Sequence, residues 1–331
     1  MMEDKEYPNG NKSVKTCFYN SPNFRKVIWE TTNVCDHNCI YCCNKNYRSE
    51  NKDINEETCL RILNEIIEAN IKHVVLGGGE PLLSKHIELI IRTLLDSSIE
   101  ITIATNGLHI NEHMTQLFNP HVKLLISVDG YMPATHDFIR GKEGSFASII
   151  SNVHKLQENN ISNIEFHTVI TSINIMEIRS IINMARKLDI PMSMSTIVPP
   201  YKHKSIQDLC ILPNDPILRA IYEEFWQEVK FIRIGKGALS RCPAGENILG
   251  VKPDGLYTPC PWISNYTDQF NNNQISDFKD FLDFKKSFFS IKNCKECEYD
   301  ITCSRGCIAA AMSNKDHSDF ICPHYNTTKA E

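Results

Sequence analysis

Between residues 26 and 197, short strand-like runs alternate with segments of helical periodicity, and this alternation limits the fold more than any other feature of the chain. Runs over 27–29, 73–76, 100–104, 122–127, 164–170 and 192–197 have strand character and end at turn-forming residues. Apolar residues recur at helical spacing over 56–69, 86–95, 111–118 and 145–157. A further helix is expected to run to Leu188 from an N-cap at Asn174. Strands that alternate with helices build a parallel sheet with right-handed crossovers. Six strands at this spacing predict an α/β fold, a partial (β/α)6 TIM-like barrel, with a doubly wound open sheet as the competing arrangement. Every polar motif in the stretch follows the end of a strand, where either architecture places its active site.

The pattern changes after Pro200. Residues 213–230 read as one helix, and from Arg241 the chain is rich in cysteines and turn residues. Asp254-Gly255, between the runs 248–251 and 256–258, reads as a hairpin turn. The expected organisation is an N-terminal extension over 1–24, a core domain over 25–205, a linker helix region over 206–240 and a cysteine-rich domain over 241–331. So small a C-terminal domain buries little core by itself and calls for a metal staple.

The formal net charge of −5 excludes the basic footprint of a general nucleic-acid binder. No apolar run approaches the roughly 20 residues that cross a bilayer. The first 20 residues lack the apolar core of a signal peptide. A cytoplasmic protein with no membrane and no nucleic-acid partner is expected. In a reducing compartment, 14 cysteines speak for metal ligation or catalysis rather than disulfides.

Cys35, Cys39 and Cys42 form C-x3-C-x2-C directly after the first strand. Soft thiolates suit the iron of an iron–sulfur cluster, and zinc is the alternative for such a triplet alone. A four-iron cluster asks for four ligands, so a three-cysteine loop leaves one iron open to a small molecule. Gly77-Gly78-Gly79-Glu80-Pro81 follows the second strand, where glycines permit close backbone approach. Thr105-Asn106-Gly107 and Ser127-Val128-Asp129-Gly130 close the third and fourth strands, and His136-Asp137-Phe138-Ile139-Arg140-Gly141 comes next.

With Tyr41 in the aromatic place before the third cysteine, this set resembles the radical S-adenosylmethionine (SAM) superfamily. The resemblance implies a [4Fe–4S] cluster on Cys35, Cys39 and Cys42 whose open iron chelates SAM. One electron then breaks the S–C5′ bond, and the 5′-deoxyadenosyl radical abstracts a hydrogen atom from substrate. It also implies that Gly77, Gly78, Gly79 and Glu80 bind the SAM amino group. Ser127 would reach the ribose or carboxylate, and Tyr41, Thr105 and Arg140 complete the expected cofactor contacts.

The C-terminal cysteines follow a second, longer pattern. Twelve residues separate Cys242 from Gly255 and four more lie before Cys260; then come Cys294-x2-Cys297-x5-Cys303-x3-Cys307 and Cys322. This resembles the SPASM domain, the seven-cysteine extension of radical SAM enzymes; a zinc ribbon would leave three of the seven unused. The resemblance implies two auxiliary [4Fe–4S] clusters, three in all. Cys294, Cys297, Cys303 and Cys322 would hold the distal one, and Cys242, Cys260 and Cys307 the nearer. Some relatives supply a further cysteine a few residues earlier, but 232–241 contains none, so the nearer cluster is expected to have an open iron or a non-cysteine ligand. Of the remaining cysteines, Cys59 reads as core on an apolar helix face and Cys43 as a bystander, and Cys17 and Cys210 carry no motif. Any of the four would be a hydrogen-atom donor if the reaction were an epimerisation.

Enzymes of this resemblance commonly modify ribosomally made peptides by thioether or C–C crosslinks or other oxidative maturation. The alternative is dehydrogenation or epimerisation of a sugar or aminoglycoside-type molecule. His167, Ser193 and Ser195, on later strands, are candidates to face the substrate. The short segment before the first strand leaves no room for the leader-recognition domain of many peptide-modifying relatives. A separate leader-binding protein and a flavodoxin- or ferredoxin-type electron donor are therefore the expected partners, besides a peptide or small-molecule substrate. A non-catalytic metal-binding module is the reading from another class, and SAM cleavage separates the two.

Overall fold

The computed structural model describes residues 25–42, 44, 53–196, 208–211, 215–225, 232–234 and 244–261. In chain order these form β1 (Lys26–Thr32), α1 (Glu56–Glu68), β2 (His73–Gly78), α2 (Ile87–Asp96), β3 (Glu100–Thr105) and α3 (Glu112–Thr115). There follow β4 (Val122–Ser127), α4 (Pro133–Arg140), α5 (Ser145–Glu158), β5 (Ile164–Ile170), α6 (Ile178–Lys187) and β6 (Met192–Thr196). The last described elements are α7 (Pro216–Phe225), β7 (Ile232–Ile234), β8 (Ile248–Val251) and β9 (Tyr257–Thr258). No described helix is long and apolar enough to cross a membrane.

The chain divides into two compact units, and the division falls within β3. In the first unit the strand order is β3-β2-β1-β8-β9. β1 pairs in parallel with β2 on one side, Lys26 opposite His73, and with β8 on the other, Lys26 opposite Ile248. β8 turns back into β9 as an antiparallel hairpin, Gly250 opposite Thr258, as the Asp254-Gly255 turn predicts. In the second unit the order is β7-β6-β5-β4-β3, with β4 to β7 parallel.

Helices cover one face of each strand set. On α6 the spacing Ile178, Ile181, Ile182, Ala185 makes one buried stripe, and on α1 Cys59, Ile62, Leu63 and Ile66 make another. In the second unit the strands answer with Val122, Leu124, Ile126 and Phe166, all inaccessible. The opposite face of the same strands is half-buried and carries Lys123, Leu125, Ser127, His167, Ser193 and Ser195. Ser127 is opposite His167, and His167 opposite Ser193, so three candidate residues stand side by side.

Three local expectations change. Asn174 is not a helix cap: its amide donates to the carbonyls of Asp129 and Val169, and its Oδ1 accepts from the Thr171 amide at 2.7 Å. Its side chain is spent on the β5 loop, so the chain starts with a short 3-10 turn (Ile175–Glu177) before α6. The helix expected over 111–118 keeps one turn, α3, capped by Asn111. α4 was not anticipated as a helix; Pro133 opens it and Gly141, at φ 60°, closes it. β7 and the parallel docking of β8 on β1 are likewise additions.

Gly255 packs against α1. Its φ is +82°, and a Cβ there would sit 2.6 Å from Thr58 Cγ2 and from Arg61 Nη2. Arg61 donates to the Gly255 carbonyl and to Glu65, which also accepts from the Tyr257 hydroxyl. Gly255→Ala is therefore expected to destabilise the protein by about 1–2 kcal/mol, the cost of a side chain in the left-handed region. A lower urea midpoint with an unchanged slope is the expected result.

Candidate active site

In the first unit the end of β1 and the turn after β2 are stitched backbone to backbone. The pairing register shifts between Glu30 and Thr32, which are opposite Gly77 and Gly78. The Gly79 amide donates to the Thr32 carbonyl at 2.6 Å, and the Glu80 amide to the Val34 carbonyl at 2.7 Å. This approach leaves no room for side chains. A Cβ on Gly79 would sit 2.1 Å from Val34 O, and one on Gly78, at φ +118°, 2.4 Å from Thr32 O. Gly77 differs: a Cβ there meets nothing within 4 Å, and its carbonyl accepts from the Thr31 hydroxyl at 3.4 Å. Glu80 is buried and its Oε1 accepts from the Leu82 amide, capping the turn Pro81–Leu83.

In the second unit the cysteine loop lies on the end of α4. The Asn38 amide donates to the Arg140 carbonyl at 3.1 Å and the Ile40 amide to the Ile139 carbonyl at 3.0 Å. Gly141 is required here, since its Cβ would sit 2.3 Å from Asn38 O. The Cys42 amide donates to the Cys39 carbonyl, closing a turn between the second and third thiols. Cys39 is buried and Cys35 and Cys42 are half-buried.

Tyr41 and Arg140 meet on Asp129, a fully buried carboxylate that follows β4. The Tyr41 hydroxyl donates to Asp129 Oδ2 at 2.5 Å, and Arg140 Nη1 donates to both, at 2.9 and 3.3 Å. Burial pushes the Tyr41 phenol well above its ordinary range, and Asp129 adds to the effect, so Tyr41 remains a donor. Burial works against the charge of Arg140, but Tyr41, Cys39 and Asp129 outweigh it and the guanidinium stays ionised. Its Nε is buried with no hydrogen-bond partner among the described residues.

A second polar chain runs behind the loop. The Asp129 amide donates to His136 Nδ1 at 3.1 Å, which makes the other nitrogen of a neutral ring the donor. His136 Nε2 lies 3.3 Å from Ser145 Oγ, and Ser145 Oγ lies 2.9 Å from His37 Nε2. With Ser145 donating to His37, His37 Nδ1 donates to Asp36 Oδ1 at 3.1 Å. Asn106 Nδ2 donates to the same oxygen at 2.9 Å, and its Oδ1 accepts from the Leu108 amide. His109 and Lys142 approach Asp36 Oδ2 at 3.3 and 3.7 Å. Burial opposes ionisation of Asp36, but the hydrogen bond and charge of His37, with His109 and Asn106 adding, hold its carboxyl at about 2. Burial lowers the pKa of His37, against the pull of Asp36.

Of the other candidates, Thr105 is buried, and its hydroxyl accepts from the Gly107 amide at 3.0 Å. His167 Nδ1 lies 2.9 Å from Ser193 Oγ, and its Nε2 3.3 Å from Ser195 Oγ. Cys59 is core, its thiol pushed up to about 12 by burial with Asp53 and Glu56 adding. Burial lifts Cys210 to about 11. Cys260 is described; Cys17, Cys43, Cys242, Cys294, Cys297, Cys303, Cys307 and Cys322 lie outside the described residues. Asp36, His37, Asn106, Asp129, His136 and Ser145 are site residues that motif spacing alone does not single out. The signal for them was an Asp-His pair inside the cysteine loop and the Asp of Ser127-Val128-Asp129-Gly130.

Residues 29–186 match the family model described as the Radical SAM superfamily. This stretch of the chain is a radical SAM domain. Mycofactocin maturase MftC of Mycolicibacterium smegmatis is 22% identical to this radical SAM chain over 311 residues, 86% of this chain and 78% of the relative. Streptococcus suis SuiB bound to S-adenosylmethionine has TM-score 0.72 at 15% identity, covering 92% of this chain and 79% of SuiB. SuiB bound to precursor peptide SuiA gives 0.68 at 16%, over 94% and 78%. Native anSMEcpe with bound AdoMet gives 0.70 at 17%, over 92% and 95%. These likenesses establish the partial-barrel fold.

The superfamily brings a [4Fe–4S] cluster and SAM, and the residues present suit them. Among the described residues no three His, Cys, Asp or Glu side chains converge as around a single ion, whereas a four-iron cluster takes one thiolate per iron. The Nε of Arg140, buried with no hydrogen-bond partner among the described residues, is a group that a ligand can engage.

Burial holds His136 neutral by lowering its pKa to about 4, from 6.5 for the free side chain. The unfolded chain therefore binds more protons between these values, and stability present above pH 6.5 is lost as pH falls toward 4. The full loss is about 3 kcal/mol. Denaturant midpoints of the cluster-free protein at pH 7 and pH 5 should differ accordingly, and His136→Gln should flatten the difference.

Proposed function

We propose that this radical SAM enzyme oxidatively matures a ribosomally made peptide, by a thioether or C–C crosslink or a related modification. The observation that carries the reading is the cysteine loop itself, fixed on α4 with Tyr41 locked between Asp129 and Arg140. The maturase likeness along 86% of the chain, and the precursor peptide in a structure of the same fold, favour a peptide over the sugar alternative.

In this reading Cys35, Cys39 and Cys42 hold the cluster. When bound, cluster and SAM supply a carbon-centred radical that removes a hydrogen atom from the substrate. Gly77, with no side chain and space beside it, is the expected contact to the SAM amino group, while Gly78 and Gly79 permit the backbone approach that sets the turn. Glu80 fixes the turn and is the expected acceptor from the same amino group. Ser127 and Arg140 are the donors for the SAM ribose and carboxylate, and Tyr41 holds Arg140 in place. Thr105 acts through the turn that it caps.

Two auxiliary [4Fe–4S] clusters, on Cys242, Cys260 and Cys307 and on Cys294, Cys297, Cys303 and Cys322, complete the proposal. Support comes from the setting of Cys260. Lys252 forms a buried 2.6 Å ion pair with Glu30 of β1 and donates to the Pro261 carbonyl, while the Thr258 hydroxyl donates to the Cys260 carbonyl. With the Gly245 amide donating to the Pro259 carbonyl, the backbone on both sides of this thiol is anchored. The core over 25–205 and the cysteine-rich region over 241–331 are proposed as separate functional parts. A small electron-transfer protein, a separate leader-binding protein and a cytoplasmic location suited to thiolate ligands go with this reading.

Anaerobically reconstituted protein should hold about twelve irons and twelve sulfides per chain, four of each per cluster. Replacing Cys35, Cys39 and Cys42 with Ala should abolish SAM cleavage and leave about eight of each. A parent with about four of each, or with zinc instead, removes the auxiliary clusters. Deoxyadenosine production by the triple variant removes the loop assignment.

A further inference from the structure

We infer that Asp36 and His37 are positioning residues of the cysteine loop, holding it in its ligand conformation before any iron is bound. The inference rests on the loop being the cluster site proposed above. Most metal sites form only as the metal binds, because nothing else restrains the ligands. This loop is restrained twice. The first anchor is backbone to backbone, from Asn38 and Ile40 to the carbonyls of Arg140 and Ile139. It brackets Cys39 and the turn to Cys42.

The second anchor is the side-chain chain that ends on Asp36, the residue directly after Cys35. Asp36 Oδ1 accepts from His37 Nδ1 and Asn106 Nδ2, which come from the loop itself and from the turn after β3. Its Oδ2 faces His109 and Lys142, partly exposed side chains whose ion pairs contribute little. The strength of the anchor lies on the buried side. His37 is 2% exposed, and its far nitrogen is tied to Ser145, which is tied to His136 and so to the backbone of Asp129. Asn106 Nδ2 also lies 2.8 Å from His37 Nδ1, so Asp36, His37 and Asn106 form one close buried cluster, and the ring of His37 cannot turn without breaking its contacts to Asp36 and Ser145. None of these bonds uses a cysteine thiol. Asp36 thus fixes where the chain enters the loop, and the α4 anchor fixes where it continues.

The test uses the full-length, anaerobically reconstituted enzyme. The reduced protein is titrated with SAM, and the electron paramagnetic resonance signal that shifts marks this cluster apart from any other. Loss of that signal is then followed after adding excess EDTA. Asp36→Ala should lose it about ten- to a hundredfold faster than the parent, the usual effect of removing a partner behind a metal ligand, with an unchanged melting temperature of the cluster-free chain. Asp36→Asn keeps the Oδ1 acceptor and should stay near the parental rate. Ser145→Ala, which breaks the chain two links away, should move in the same direction by less. Parental kinetics in Asp36→Ala overturn the inference. So does equal loss in Asp36→Ala and Asp36→Asn, which would mean that charge and not the bonded chain matters. A parent with no SAM-responsive signal overturns the functional reading and this inference with it.

Discussion

One buried carboxylate organises the second unit. Asp129 sits at the end of β4 and bonds through every polar atom it has. Oδ2 takes Tyr41 and Arg140, Oδ1 takes the Val169 amide, the backbone amide goes to His136, and the carbonyl takes Asn174. These partners come from the cysteine loop, α4, β5 and the turn after it. A carboxylate buried in such a place is very unfavourable unless it is paired, and removing Arg140 would take away its one cationic partner among these bonds. The fully paired set instead gives each strand-end loop a fixed reference point. The cysteines lie on one of those loops, so their geometry inherits the rigidity of the strand sheet beneath.

The first unit reaches the same end by different means. There the loop after β2 is placed mainly by backbone, through two short amide-to-carbonyl bonds and glycines that allow the chains to touch, with the Glu80 carboxylate capping the turn. Backbone contacts of this kind resist substitution because there is no side chain to move aside.

Much of this was legible in the amino-acid order, for identifiable reasons. Strands such as 122–127 and 164–170 alternate strictly enough to be found to the residue, because a half-buried face and a packed face demand different side chains. Cysteine spacing exposes the loop because Cys35, Cys39 and Cys42 lie within eight positions, so a single short segment carries all three thiols. Asp129, Asn106 and Ser145 stay hidden because their partners lie far off in sequence, and their residue types are equally at home in any turn. Asn174 misleads for the same reason: a residue suited to capping a helix is equally suited to bonding a loop carbonyl, and tertiary contacts decide. α4 is only eight residues long and exposes Phe138, so its periodicity is too weak to stand out.

The parallel docking of β8 on β1 also shapes how the chain acquires its structure. Glu30 and Lys252, joined in the finished molecule, are 222 positions apart. One neighbour of β1, β2, arrives early, but the other emerges only after the strands β4 to β7 of the second unit have been made. Until then one side of β1 is a bare sheet edge on the nascent chain. Contacts so distant in sequence are slow to close and open to mispairing. The first unit is thus begun at the first strand of the chain and closes only when β8 is in place, with most of the second unit synthesised in between.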